Sequence, residues 1–315
     1  MKLLIIGMGN IGTAYGWALA EDGVDTTHLV RAGRKAAYAD GIDLDVYDLR
    51  LYHPDTKQVR YRPRVIEEVP PDDHFDFVMV PTRHTQVADT VRELNDRLPE
   101  ARFLIFCAGW YAPRVIDDVL PRSRYVWGYA SSTGGHRQKT LVLNMSPTFR
   151  FGPIEGEYPP WAEEVATLFR RAAIAPDYKY DMVEWLWVHH AIVAALVGAA
   201  FSAGGLKEMM TDAGVLQDRL IPAARDALRV VEARGVDLRR YDDTRPYLEL
   251  PAAAVAAEMI ASAGSTWMSR TFAAGHFLGN AEEMRRFYLD VVETGEELGV
   301  EMPVLASFRE KVVAG

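Results

Sequence analysis

Lys2–Gly12 reads KLLIIGMGNIG. Lys2–Ile6 is a short, mostly apolar run of the kind that forms a strand buried on both faces. Gly7-Met8-Gly9-Asn10-Ile11-Gly12 then follows the pattern G-x-G-x-x-G, and GTAYGWALAEDG continues from Gly12 with helical spacing and a terminal glycine. The motif is weak alone, but placed between a strand and a helix it reads as a dinucleotide-binding turn. Gly7 permits the tight turn, Gly9 lets a pyrophosphate approach the backbone, and Gly12 lets helix and strand pack closely. Asn10 and Ile11 open the helix, whose free N–H groups and positive dipole end favour a phosphate.

The coenzyme is read from the end of the second strand, Thr26 to Val30. An NAD site places an acidic residue about 20 residues beyond the glycines, on the ribose 2′-hydroxyl. Here HLVRAGR puts Arg31 at that point, with Arg34 and Lys35 following. A guanidinium suits a 2′-phosphate and not a bare hydroxyl, so the expected coenzyme is NADPH.

Further along, DFVMVPT (76–82), FLIFCAG (103–109), YVWGYAS (125–131) and TLVLNM (140–145) read as strands, with helical stretches after the first two. This rhythm predicts a mostly parallel, doubly wound sheet. WAEEVATLFRRAAI, DRLIPAARDALRVVEARG, PAAAVAAEMIASAG and AEEMRRFYLDVVETGEELG have apolar residues at helical spacing. From Met182 strand signals vanish. The expected fold class is α/β: an N-terminal Rossmann domain over 1–181, its sheet closed by PDYKY (176–180), and an all-helical C-terminal domain over 182–315.

Composition narrows the function classes. The 315 residues carry a net charge of −9, which argues against wholesale nucleic-acid binding. A single cysteine excludes an intramolecular disulfide and fits a reducing cytoplasm. The start of the chain mimics a signal peptide, but its glycine spacing favours the coenzyme turn. The apolar run Ala191–Ala203 is shorter than the ~20 residues of a membrane span; it reads as a buried core helix, with no membrane partner expected. No metal site is expected. PVLASF (303–308) and the Ala-rich helix over 251–263 are surfaces that could serve a homodimer or pack within their own domain.

IIGMGNIG, the placement of Arg31, FDFVMVPTRHTQV, the FCAG segment, a tryptophan-bearing helix and the ending EELGVEMP together resemble the ketopantoate reductase (2-dehydropantoate 2-reductase) family over nearly the whole chain. The resemblance implies that NADPH reduces the ketone of a small 2-oxo acid in a cleft between a Rossmann and a helical domain. It puts Arg83 at the family's lysine near the coenzyme, with Gln86 matching. It puts Ala108, in Cys107-Ala108-Gly109, at the family's asparagine beside the nicotinamide; Cys107 itself reads as a small buried hydrophobe. The family's proton-donating lysine falls on His189, in WLWVHHAIVAALVGAAF (185–201), with His190 as the reserve. The next family asparagine falls on Val193, and the substrate-binding glutamate on Glu283, beside Glu282. Ser265 and Thr266 are candidates for the substrate carboxylate. A proton donor is still required, because hydride addition creates an alkoxide. The coenzyme side thus keeps the family pattern and the substrate side departs from it, which favours a bulkier oxo substrate. Two other readings stay open: an opine-type dehydrogenase acting on a C–N bond, and a coenzyme-binding sensor without catalysis.

Overall fold

The computed structural model describes residues 1–263 and 281–314. They form two compact units, Met1–Val183 and Glu184–Gly315.

In the first unit an eight-stranded sheet runs β12-β11-β8-β7-β6-β1-β2-β5. The members are β1 (Lys2–Ile6), β2 (Asp25–Leu29), β5 (Arg64–Ile66), β6 (Phe77–Val80), β7 (Arg102–Ile105), β8 (Tyr125–Ala130), β11 (Thr148–Phe151) and β12 (Ala175–Tyr178). From β5 to β8 every pairing is parallel, and β11 joins β8 antiparallel. The strand order reverses between β1 and β6, the switch point where doubly wound sheets take ligands. The central strands are apolar without alternation because both faces are covered. Leu3, Ile5, Phe77 and Met79 join a core with helices α1 (Asn10–Glu21) and α4 (Ala162–Arg171). Helix α2 (Val87–Arg97) follows β6 and buries Val87, Val91 and Leu94, one stripe at helical spacing, and the short helix α3 (Arg114–Asp117) follows β7.

The sequence reading expected TLVLNM in this sheet. Instead β10 (Thr140–Met145) belongs to a second, four-stranded sheet, β4-β3-β10-β9, with β3 (Ile42–Asp48), β4 (Asp55–Tyr61) and β9 (Thr133–Arg137). Its inward residues Leu44, Val46, Leu141, Leu143 and Met145 share the core of α1. This sheet explains the composition of α1, where Gly12 through Leu19 are all buried. A helix covered on one side keeps a polar face; one enclosed on both sides does not. Tyr15 of α1 meets Phe106 edge-on at 4.9 Å, and Phe149 and Phe169 pack at 4.4 Å, fixing α1 and α4 over the sheet. Such aromatic pairs add about 0.5–1.5 kcal/mol each beyond their buried area. At the far end of α1, Arg50 and Lys57 lie 4.9 Å over the Trp17 ring. Burial alone would raise the Asp48 carboxyl, but its bonds to Arg50 and Lys57 outweigh that and hold its pKa down to about 2.

The second unit is helical. Helix α5 (Met182–Ala203) contributes all but its first two residues to it. It is 22 residues long, well beyond the apolar run picked out above, and by length and composition alone could cross a membrane; 56% of its most apolar window is buried within the molecule. Gly198 lets it pack closely: a β-carbon there would sit 2.6 Å from Phe308 and 3.0 Å from Tyr288. The PVLASF segment is consumed inside this unit. Asp226, buried on the helix Ile221–Ala233, accepts from the N–H groups of Val304 and Leu305 at 2.7 and 3.0 Å, and Tyr288 donates to the Leu305 carbonyl at 2.7 Å.

Candidate functional site

In the first unit the segments that follow the parallel strands meet at one edge of the sheet. Gly7 leaves β1 with φ of +81°, a left-handed conformation that glycine adopts without penalty. Gly9 forms the N-cap of α1, and a β-carbon there would meet nothing within 4 Å, so the backbone is open to an approaching group. No side chain caps this helix and no acidic residue lies in its first turn. Its leading N–H groups and dipole are therefore directed at whatever lies above the turn, which suits an anion. At Gly12 a β-carbon would crowd Ile5 and Pro81, each at 3.3 Å. The three glycines thus serve turn, approach and packing. The expected coenzyme residue Asn10 uses its side chain otherwise, donating to the Gly134 carbonyl of β9 at 2.9 Å. The Asn10 side chain is thus committed to the fold.

The other expected coenzyme residues come from neighbouring strands. The Gly7 N–H donates to the Leu29 carbonyl at 2.8 Å, tying the turn to the end of β2. Arg31, two residues on, is exposed. Arg83 follows β6 and is exposed, and Ala108 follows β7 and is buried. Behind Ala108, the Trp127 indole donates to the Cys107 carbonyl at 2.8 Å. A cavity of about 240 Å³ lined by Arg122, Tyr125 and Tyr158 opens at the start of β8, which is the opposite edge of the sheet.

One residue of this edge went unmarked in the sequence. His28 on β2 is fully buried below the turn. Its Nδ1 lies 2.8 Å from the Gly7 carbonyl and its Nε2 3.0 Å from the Tyr61 hydroxyl. A carbonyl only accepts, so Nδ1 carries the proton and Nε2 accepts from Tyr61. Burial lowers the His28 pKa to about 4, against a smaller opposing effect of the Gly7 bond, and keeps the ring neutral. The available clue was Gly16. It stands on the same face of α1 as Gly12, and a β-carbon there would fall 2.5 Å from His28 Nε2.

In the second unit the two adjacent histidines have different surroundings. His190 is fully buried, 3.4 Å from Asp290 and stacked on Phe287 at 4.2 Å. Asp290 also accepts from Arg286 at 2.5 Å, and Arg286 pairs with Glu293. His190 is therefore part of a buried, packed cluster, a poor position for a group that must meet substrate. His189, about 100° around the helix, is half-buried and stacks on Trp185 at 5.0 Å and 15°. The Trp185 indole donates to Asp243 at 3.0 Å, which fixes the plane on which His189 rests. Glu283 is half-buried in the first turn of the helix Ala281–Glu297 and shares a face with Phe287 and Asp290. Ser265 and Thr266 lie outside the described residues. Among the described residues, no group of three or more His, Cys, Asp or Glu side chains could hold a metal.

Residues 3–156 match the family model described as ketopantoate reductase PanE/ApbA. No curated protein matches the chain. Among solved structures, D-mandelate dehydrogenase with NADH and anilino(oxo)acetate aligns at a TM-score of 0.75 and 13% identity, covering 100% of this chain and 97% of the other. The 2-dehydropantoate 2-reductase of Geobacter metallireducens GS-15 aligns at 0.72 and 14%, covering 100% and 99%. A dimeric ketopantoate reductase from Staphylococcus aureus aligns at 0.66 and 12%, covering all of both chains. At these identities the structural likeness establishes the fold. The match over residues 3–156 shows that the chain carries a ketopantoate reductase family domain.

Proposed function

We propose that this chain is an NADPH-dependent reductase of a 2-oxo acid. The observation that carries the proposal is the uncapped start of α1, with no acidic first turn, reached by a turn tied to the end of β2, beyond which Arg31 is exposed. The first unit would hold the coenzyme: the Gly7–Gly12 turn at its pyrophosphate, Arg31 at its 2′-phosphate, Arg83 and Ala108 nearer the nicotinamide. When bound, the reduced nicotinamide supplies the hydride. The second unit would supply His189 as the acid that protonates the developing alkoxide, and Glu283 as an acceptor for a substrate hydroxyl or amide. Charge development on the carbonyl oxygen is the step that needs help, and a proton donor at His189 would supply it.

Substitution of the family's lysine and asparagines by His189, Val193 and Ala108 favours an oxo acid with a larger apolar group than ketopantoate. The structural relative that carries anilino(oxo)acetate supports an aryl-bearing substrate as the first choice to test. A homodimer in a reducing cytoplasm is the expected working state, in line with the dimeric relative.

The test is loss of reduced-coenzyme absorbance on mixing NADPH with branched and aryl 2-oxo acids, 2-dehydropantoate included. Turnover with an oxo acid alone supports the proposal. Turnover only when an amine is also present would move the chain to C–N chemistry. Tight NADPH binding without turnover of any partner would make it a sensor.

A further inference from the structure

The coenzyme turn is braced from below by the second sheet at two points. At its start, the Gly7 carbonyl is turned back into the fold and accepts from His28 Nδ1, which is in turn held by Tyr61, the last residue of β4. At its end, the Asn10 side chain donates to Gly134 of β9. Both β4 and β9 belong to the four-stranded sheet. Gly16 leaves the space that the His28 ring fills. Tyr61 also lies 3.4 Å from Thr26 on β2, so its hydroxyl has a partner on each side.

We infer that His28 is a positioning residue for coenzyme binding, which fixes the Gly7 carbonyl away from the phosphates and, through Tyr61, couples the turn to the second sheet. The physical reason is that a peptide carbonyl free to rotate toward a pyrophosphate would meet it with like partial charge and withdraw the N–H groups that should face it. A donor that accepts no alternative geometry prevents this. His28 suits the task because it is neutral, so it adds no competing charge beneath the turn, and because its second nitrogen is satisfied by Tyr61 and not by solvent. The inference rests on the reading of the turn as an NADPH site.

The test measures NADPH affinity by fluorescence titration and thermal midpoint for wild type, His28→Leu, His28→Asn and Tyr61→Phe. Asn retains a donor at the Nδ1 position, whereas Leu has none. The expected result is a Kd weakened about tenfold by His28→Leu, the cost of one hydrogen bond to a buried carbonyl. His28→Asn should recover most of that loss, and Tyr61→Phe should fall between. Gly16→Ala provides an independent route, because it displaces the ring without altering it and should weaken NADPH in the same way. Phe103→Leu, a core change at the start of β7 on the opposite edge of the sheet, controls for stability alone. In turnover, KM for NADPH should rise while kcat at saturating NADPH holds. Equal Kd values for wild type and His28→Leu, or a loss matched by Phe103→Leu at the same thermal midpoint, would overturn the brace. Failure of the wild type itself to bind NADPH would overturn the coenzyme reading instead.

Discussion

Helices α1 and α5 are both apolar around most of their circumference, yet they are specified in opposite ways. In α1 the informative residues are those with the least side chain: Gly9, Gly12 and Gly16 set an approach, a strand contact and a histidine contact. In α5 the informative residues are large: Trp185, His189 and His190 take their roles from partners far along the chain, Asp243, Phe287 and Asp290. A turn built from missing atoms tolerates little change, because an added β-carbon at Gly12 or Gly16 would meet packed atoms. A cluster built from side-chain partnerships can be rebuilt with other side chains, and α5 is where the resemblance puts His189 in place of the family's lysine.

The largest test of this contrast is His189→Ala. If His189 carries the acid role, kcat should fall roughly 10²–10⁴-fold with NADPH affinity intact; stopped-flow turnover at saturating coenzyme measures it. An unchanged kcat would leave the altered helix without a chemical role. Next in size is acid stability on the α1 side. His28 has its pKa lowered from 6.5 to about 4, so the unfolded chain binds its proton first as pH falls. Stability contributed by the neutral ring is full above about 6.5 and is lost as pH drops toward 4, on the order of 3 kcal/mol in all. Denaturant melts across that window should show the slope in wild type and lose most of it in His28→Asn. A His28→Asn protein with the wild-type slope would assign the acid sensitivity elsewhere.

Third, Arg31→Ala should cut NADPH affinity about 10–100-fold and leave NADH nearly unchanged, as expected for one charge-assisted contact. Parallel titrations with both coenzymes decide it, and an equal loss of both would mean Arg31 does not read the 2′-phosphate. The smallest effect is expected from Trp185→Phe, which keeps a ring beneath His189 but removes the bond to Asp243. A stability loss of about 1 kcal/mol and a few-fold drop in kcat should follow. A drop in stability with no change in kcat would make the stack a packing feature only.

What could be read in advance divides along the same line. The glycine turn was legible because its constraints are local: each glycine answers to atoms within a few residues or one strand away. The four-stranded sheet was not, since β4 (DTKQVRY) is largely polar and its pairing with β3 and β10 is set by long-range contacts. His28 lay inside a segment quoted for its arginine, and its importance depends on Tyr61, thirty-three residues on. The identity of the tandem histidines was visible at once, but which one is core required Asp290, a hundred residues later, to be placed beside His190.

The enclosure of α1 between two sheets has a kinetic side. A helix with eight consecutive buried residues offers no local route by which its amides can reach water. Their deuterium uptake should therefore report whole-unit opening, while the exposed loop bearing Arg31 exchanges freely. The phosphates would then dock against the slowest-exchanging element of the unit, and adaptation to a new substrate would leave that element untouched.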